Sequence, residues 1–496
     1  MSLIKSLAKE TAVYGVSNIL NRLLNYIIVT PYLTRVFDND QGEYGIHGLM
    51  YAFSALLLVM LTYGMETAFF RFGHRTEDRP NAFSTACISL LASTLGFVVL
   101  LLLFSSDIAA MLTSADDGIY VIYFTFIIAF DVLVAIPFAR LRLENRPILF
   151  AFLKVINILV NAGMLLFFLE LCPVLISHDY GAIEAIYDPS RKLDYVFIAN
   201  LIASAVTLML LLPTYFRIKL RFDWVLWKRM FRYAFPLIIV GITGMFSQLA
   251  DRYLLKEWLP GSLDENLIQL GIYNACIKIA VLMNLFTQAF KFAAEPFFFR
   301  HADREDSRLI YARVGQAFAL VGSLAMLGIL LYLDLVQYLI APSFRGGLNI
   351  VPLLLLAYLF LGIYYSFSIW YKLTDQTKFG AYISTAGAIL VLVLNYLLIP
   401  RIGYMGSAWA SLACFAFMTV VSYLVGQRYY PVPYPIGKMI FYILSALGVY
   451  GLSLWLRPDV LWQILLVNTG LMVGYLGIVV WMERKAFKAI LGGKQV

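Results

Sequence analysis

The sequence predicts an all-α, polytopic membrane protein of fourteen transmembrane helices, built as two parallel six-helix lobes followed by two further helices. Three observations carry this. The chain of 496 residues is 61% hydrophobic and 14% charged, with a mean hydropathy of +0.80, against the roughly 45–50% apolar and about 25% charged of soluble domains. The excess falls in runs of about 20 residues, each long enough to cross roughly 30 Å of hydrocarbon as a helix. Basic residues alternate between successive loops, and the second half of the chain repeats features of the first. A soluble enzyme, a secreted disulfide scaffold and a disordered chain are excluded on composition alone.

In order, the first six spans run Thr11–Phe37, Tyr44–Gly64, Ala82–Phe104, Ile119–Phe138, Ile148–Leu171 and Tyr195–Tyr215. Lys5 and Lys9 precede the first, which is interrupted by Asn18, Asn21, Arg22 and Asn25 and lacks a small-residue cleavage site, so it reads as a retained helix and not a signal peptide. A basic stretch, Arg217–Arg232, closes this half. The next six run Met230–Leu255, Leu270–Phe292, Val314–Leu333, Ile350–Tyr371, Gly380–Ile399 and Gly406–Val425, and a last pair covers Met439–Leu456 and Leu461–Trp481. The implied domains are an N-terminal lobe over residues 1–216, a basic linker over 217–229, a C-terminal lobe over 230–427, and the last pair with its tail over 428–496.

Charge tests the count. With the span-end cations Arg35, Arg232, Arg252 and Lys291 counted with the loops they adjoin, 27 Lys and Arg fall on the side of the N-terminus and 8 on the other, and the remaining three of 38, Arg22, Lys154 and Lys278, lie well within spans. A missed helix in mid-chain would scramble that alternation, and the excess places both termini in the cytoplasm. The net charge of +8 belongs to these loops, so no nucleic-acid partner is implied. The four cysteines form no CxxC pair and the four histidines show no HExxH or Cys/His spacing, so no metal, cofactor or catalytic residue is expected. No GxxxxGK[ST] loop occurs, and the longest external loop, Cys172–Asp194, is too short for a catalytic domain. Any driving force comes from ion gradients, membrane potential or the substrate's own gradient.

The repeat is direct. GVSNILNRLLNY (Gly15–Tyr26) lies over GITGMFSQLADR (Gly241–Arg252) at an offset of 226, and the same offset sets YGI (Tyr44–Ile46) over LGI (Leu270–Ile272). At the inner end of the second helix of each half, ETAFFR (Glu66–Arg71) matches EPFFFR (Glu295–Arg300) at an offset of 229. Six spans per copy is an even number, so both halves enter the membrane from the same side, a parallel repeat of the kind found in transporters.

A charge at mid-membrane costs at least about 2.5–3.5 kcal/mol on insertion scales, which makes each one a functional candidate. Arg22 lies roughly 16 Å from the cytoplasmic side and shares one helix face with Asn18 and Asn25, an arrangement suited to a wet cavity. Lys278 sits at a similar depth in the other half; it either snorkels to the outer headgroups or joins Arg22 in gripping a diphosphate. Asp131 either neutralises Arg22 or binds a coupling proton or sodium ion. Lys154, near the inner face, reads as a snorkelling lysine. Asp251 and Arg252 at the outer end of the seventh span are placed to lock the halves together, and Glu66, Glu295, Arg71 and Arg300 at the inner ends suit gating or helix-end charge roles. Tyr and Trp facing a cavity suit stacking on sugars.

The runs ADRYLLKEWL (Ala250–Leu259), GIYNACIKIAVL (Gly271–Leu282), AAEPFFFR (Ala293–Arg300) and NYLLIPRIGYMGSAWAS (Asn395–Ser411) resemble bacterial polysaccharide flippases of the multidrug/oligosaccharidyl-lipid/polysaccharide (MOP) exporter superfamily. The resemblance implies two MATE-like six-helix lobes forming a V around a central cavity. It further implies alternating access in the bacterial inner membrane, turning an undecaprenyl-diphosphate-linked oligosaccharide toward the periplasm for surface polysaccharide such as lipopolysaccharide O-antigen. The partners implied are membrane lipid, the lipid-linked substrate, a coupling ion (H+ or Na+) and polysaccharide assembly proteins. The family's use of cavity cations for the diphosphate sugar carries over to Arg22 and Lys278. Drug exporters of the superfamily use cavity acids, and the first helix offers Arg22 instead. A cation-coupled multidrug exporter is the alternative within the class. A membrane-embedded glycan polymerase or ligase is the alternative outside it, disfavoured by the repeat and the short loops.

Overall fold

Caps and left-handed breaks, more than the edges of the apolar runs, decide where the helices start and stop. The computed structural model of the chain describes residues 28–73, 79–144, 146–178, 187–216, 221–302, 304–374 and 376–484. In order these form α1 (Thr30–Val36), α2 (Gln41–Thr62), α3 (Met65–Gly73), α4 (Arg79–Leu103), α5 (Ser105–Leu112), α6 (Gly118–Leu143), α7 (Pro147–Leu166), α8 (Cys172–Ser177), α9 (Lys192–Phe216), α10 (Trp224–Trp258) and α11 (Leu263–Arg300). The chain continues with α12 (Ser307–Leu331), α13 (Leu333–Val336), α14 (Val351–Phe367), α15 (Ile369–Leu373), α16 (Lys378–Ile402), α17 (Tyr404–Tyr429), α18 (Ile436–Trp455) and α19 (Leu461–Met482). There is no strand among the described residues.

Twelve stretches among the described residues are long and apolar enough to cross a membrane. The first expected span falls largely outside the described residues, which retain only its end, α1. The seventh is α10, a 35-residue helix that is not among the twelve; its ends carry Lys228, Arg229, Arg232, Asp251, Arg252, Lys256 and Glu257, and the stretch between Arg232 and Asp251 carries no charge.

Several helices outrun their hydropathy windows because polar caps extend them. The Asp223 carboxylate accepts the Leu226 N–H at 2.9 Å and starts α10. That same bond holds the Asp223 carboxyl below the usual carboxylate range. Ser262 and Glu265 form a reciprocal capping box at the head of α11, which satisfies two otherwise orphaned donors. The fifth span also differs from expectation. Helix continues past Leu171 through a π-helical turn (Phe167–Leu171) into α8, so the external loop begins at His178 and not at Cys172.

Packing separates the chain into neighbourhoods that follow the repeat. α6 and α9 pack together, with α4 against α6 and α7 against α9, while α11, α14, α16 and α17 pack on one another with α10 against α16. The halves meet chiefly where α2 lies along α11 and α10. α18 and α19 lie outside, against α12. α11 is the most enclosed of the spans, whereas α19 is among the most exposed, with Leu466, Val473 and Trp481 turned outward as a lipid-facing surface requires.

The α2–α11 crossing obeys the sequence offset. A Cβ on Gly45 would overlap the Leu267 carbonyl, and a Cβ on Gly271 would overlap the Gln41 carbonyl. Gly45 and Gly271, like Gln41 and Leu267, are 226 apart, so the contact is two-fold symmetric at the level of single atoms. Apolar helices that merely resemble each other in composition have no reason to produce such a contact. Small residues are what allow membrane helices to approach this closely.

Gly45→Ala and Gly271→Ala are each expected to lower stability by about 1–3 kcal/mol, the usual penalty of overpacking, read as a lower thermal-unfolding midpoint in detergent. Gly96→Ala, at a position where a Cβ meets nothing within 4 Å, should leave the midpoint unchanged or raise it.

Candidate functional site

The α2–α11 crossing opens into a cavity of about 330 Å³. α2 presents Tyr44, His47, Gly48, Tyr51 and Ala52 to it, and α11 presents Asn274, Ile277, Lys278 and Val281; both sets follow helical spacing on one face. They are repeat equivalents too: Gly48 corresponds to Asn274, Tyr51 to Ile277 and Ala52 to Lys278. Where the first copy is small, the second carries a polar side chain. Gly48 has no Cβ because the Asn274 carboxamide fills that space. The small face of α2 thus makes room for the polar face of α11.

The remaining walls come from Val29, Thr30 and Leu33 beside α1, Asn161 and Leu165 on α7, Val196 and Asn200 on α9, and Leu249 and Arg252 on α10. Two cationic side chains therefore line one chamber. Arg252 donates to the Asp251 carboxylate at 2.6 Å and to the Gln248 carbonyl at 2.7 Å, and Asp251 also accepts from the Tyr273 hydroxyl. This buried pair compensates much of the guanidinium charge, and Lys278 is the second cation in the lining.

Three buried atoms of lining residues have no hydrogen-bond partner among the described residues: His47 Nδ1, Asn161 Oδ1 and Asn274 Nδ2. Leaving such atoms unpaired costs about 1–3 kcal/mol each, a penalty expected where a polar ligand or water completes them. They include an amide donor and an amide acceptor, which suits hydroxyl-rich partners. The His47 ring is stacked on Tyr44, with centroids 5.3 Å apart, and lies 4.7 Å from that of Tyr51, so the aromatic wall is fixed by its own packing.

The structure brings only some of the expected site residues together. Lys278 lines the cavity, and so does Arg252, which sequence reasoning places only at the outer lock. Arg22, Asn18 and Asn25 lie outside the described residues. Asp131 is not among the lining residues; it accepts from Ser204 Oγ at 2.9 Å on α9 and has Lys154 as its attractive charged neighbour. Lys154 in turn sits over the Phe138 ring at 4.3 Å. Asn200, one turn before Ser204, donates to the Tyr51 hydroxyl in the cavity wall, so a polar stripe on α9 connects the cavity to Asp131. Glu66 pairs with Arg142 of α6 and not with Arg71. Arg71 instead lies over the Tyr233 ring of α10 at 4.2 Å. The side chains of Glu295 and Arg300 lie outside those described.

Sequence reasoning missed His47, Tyr51, Asn161, Asn200 and Asn274. It weighed formal charges and passed over neutral polar groups, although the repeat offset sets Asn274 directly against Gly48. His47 lies well inside α2 and is buried. Also missed were bridges between the halves: Lys256 Nζ donates to the Met111 carbonyl at 2.7 Å, and Ser343 donates from its N–H (3.2 Å) and its Oγ (2.5 Å) to the Asp38 carboxylate. Both close the end of the bundle that carries α5. Asp251 and Arg252, expected there as the lock, bond within the second half. Among the described residues, no group of three or more His, Cys, Asp or Glu could hold a metal ion.

No protein-family profile matches the sequence, and no curated protein matches it either. Solved structures share the fold. A structure described as lipid II flippase MurJ in an inward closed conformation superposes with a TM-score of 0.71 at 15% identity, covering 96% of this chain and 99% of that one. An inward-facing multidrug resistance MATE family transporter of the MOP superfamily gives 0.62 at 13% identity, covering 83% of this chain and 97% of that one. A MATE in complex with MaD3S gives 0.61 at 12%, covering 86% and 95%. The chain thus shares the all-α fold of these structures, over 96% of its length in the case of the first, with twelve stretches among the described residues long and apolar enough to cross a membrane.

Asp251→Ala, which strands Arg252 and removes the acceptor of Tyr273, should destabilise by about 3–5 kcal/mol, as breaking one side of a buried ion pair does. Tyr273→Phe should cost about 1 kcal/mol. Thermal or denaturant unfolding in detergent distinguishes the two.

Proposed function

We propose that this protein is a flippase carrying an undecaprenyl-diphosphate-linked oligosaccharide across the bacterial inner membrane by alternating access, with no covalent bond made or broken. The observation that carries this reading is the cavity on the two-fold crossing, where Lys278 and Arg252 sit beside unpaired amide and imidazole atoms. Phosphate oxygens meet the cations, and sugar hydroxyls, which both donate and accept, meet the amides. One of the structures that share the fold is described as a lipid II flippase.

In this reading fourteen spans cross the membrane: the twelve apolar helices, α10, and the first helix, which brings Arg22, Asn18 and Asn25 to the substrate. Residues 1–216 and 230–427 form the two lobes, joined by the 217–229 linker, and the basic loops hold both termini in the cytoplasm. At about 330 Å³ the cavity stands at the small end of ligand sites, so the halves separate to admit the glycan, using the α2–α11 crossing as a pivot. Asp251 and Arg252 shape the cavity wall. Glu66, Arg71, Glu295 and Arg300 act at the inner gate. Asp131, on the polar stripe from Tyr51 through Asn200 and Ser204, takes the coupling proton or sodium ion.

A cation-coupled multidrug exporter is the second reading, favoured by the MATE structures that share the fold; against it, a cationic cavity repels cationic drugs.

Deleting the gene should cause a lipid-linked glycan to accumulate on the cytoplasmic leaflet with drug sensitivity unchanged. The opposite pair of results selects the exporter. Lys278→Ala at normal protein level should cut surface glycan at least about tenfold, the size of one charge-assisted phosphate contact, and Lys278→Arg should restore much of it. Wild-type export from Lys278→Ala removes Lys278 from the substrate site. Lys256→Ala should loosen the α5 end, read as faster labelling of a cysteine placed at Leu249 by a membrane-impermeant thiol reagent from the periplasm.

A further inference from the structure

Beside the polar cavity lies a second chamber of about 320 Å³ with almost wholly apolar walls. It is bounded by α2 (Leu49, Phe53, Leu56), α5 (Ile108, Met111) and α10 (Phe246). Ala52 and Leu249 line both chambers, so the two compartments share a wall made of one methyl group and one leucine side chain. Two of its lining residues, Met111 on α5 and Tyr253 on α10, are 64% and 38% exposed, so the apolar chamber reaches the surface of the bundle beside α5 and α10. A membrane protein has no energetic reason to leave such a space empty beside a cationic one. A void forfeits dispersion contacts along its whole lining, and lipid chains reach every lateral opening.

We propose that the apolar chamber holds the phosphate-proximal hydrocarbon of the transported lipid while its diphosphate sits by Lys278 and Arg252, so that the substrate's tail leaves the protein between α2, α5 and α10. The inference rests on the flippase reading and names where the prenyl chain lies. The chemistry of the two compartments matches an anionic amphiphile in order: cations and amides for the head, a narrow crossing at Ala52, and an apolar passage ending at a lipid-facing rim. The head thereby stays at one depth on the two-fold crossing while the tail remains in hydrocarbon, and the chain never has to thread through the polar cavity. A bilayer phospholipid chain parked in the chamber, independent of the substrate, is the competing occupant.

The test uses the full-length protein in phosphatidylethanolamine–phosphatidylglycerol nanodiscs with radiolabelled undecaprenyl diphosphate. A benzophenone side chain is introduced at Phe246, and at the outward-facing Leu103 (71% exposed) as the reference position. The expected result is prenyl crosslinking at position 246 that falls about tenfold with excess inorganic diphosphate or in Lys278→Ala, a factor matching loss of one head-group contact, with the reference unchanged. Crosslinks at 246 to phospholipid alone, equal with and without undecaprenyl diphosphate, overturn the proposal. Failure of undecaprenyl diphosphate to bind the wild-type protein overturns the flippase reading itself, whereas binding without any crosslink at 246 overturns only the placement of the tail. As a second measure, Leu56→Trp, at a residue that lines the apolar chamber and not the polar cavity, should weaken undecaprenyl diphosphate binding about tenfold while inorganic diphosphate keeps its affinity. Unaltered prenyl binding in that variant counts against the proposal.

Discussion

Where α2 crosses α11, the Leu267 carbonyl occupies the space that a side chain at residue 45 would need, and the Gln41 carbonyl does the same to residue 271. Hydrocarbon provides no hydrophobic drive for helices to associate, so close backbone approach and its dispersion and Cα–H···O contacts must hold the halves in register. This contact sets the spacing of the same two helices along their length. One turn further on, Gly48 takes the Asn274 carboxamide against its backbone, and beyond it Ala52 lies opposite Lys278 at the same offset. The widening that creates the cavity is a step from glycine to glycine to alanine on one helix, set against progressively longer polar side chains on the other.

The same crossing explains how a lysine and an arginine are tolerated deep in an apolar bundle. Arg252 is held by an adjacent carboxylate and a main-chain carbonyl, and that carboxylate is held in turn by Tyr273 from α11. A fully hydrogen-bonded pair of this kind repays part of its desolvation. Lys278 lines the same chamber, together with three buried polar atoms, His47 Nδ1, Asn161 Oδ1 and Asn274 Nδ2, that have no hydrogen-bond partner among the described residues.

Much of this was legible in the sequence. Hydropathy and loop charge located the apolar helices because the bilayer imposes length and polarity on every span. The repeat offset of 226 aligned Gly45 with Gly271 as equivalents; that the two helices cross at those residues is seen only in the fold. Lys278 was found because a charge in a span is conspicuous. Neutral polar residues such as Asn161, Asn200 and Asn274 carry no comparable signal, since helix spacing alone cannot tell a cavity wall from a helix seam. The partners of Glu66 and Asp251 were also illegible. Arg142 and Tyr273 reach them through tertiary packing between helices far apart in sequence, and only the folded bundle decides which helices are neighbours. Bridges made through main-chain carbonyls, such as that from Lys256 to Met111, leave no trace in side-chain identity at the acceptor.

One asymmetry between the copies has mechanical weight. α2 stops at Tyr63 and Gly64, consecutive residues with φ of 30° and 68°, and the chain restarts as α3; its counterpart α11 runs on without interruption for 38 residues. The shift of offset from 226 to 229 falls across this break, with the three added residues, close to one helical turn, present in the copy that stays straight. In the alternating-access reading proposed above, a tilt at the crossing is carried along the uninterrupted α11, whereas in the first copy the break at Tyr63 and Gly64 stands between the crossing and Glu66. On that reading the two arms of the repeat are a stiff lever and a jointed one, with unequal strokes at the end that carries Glu66.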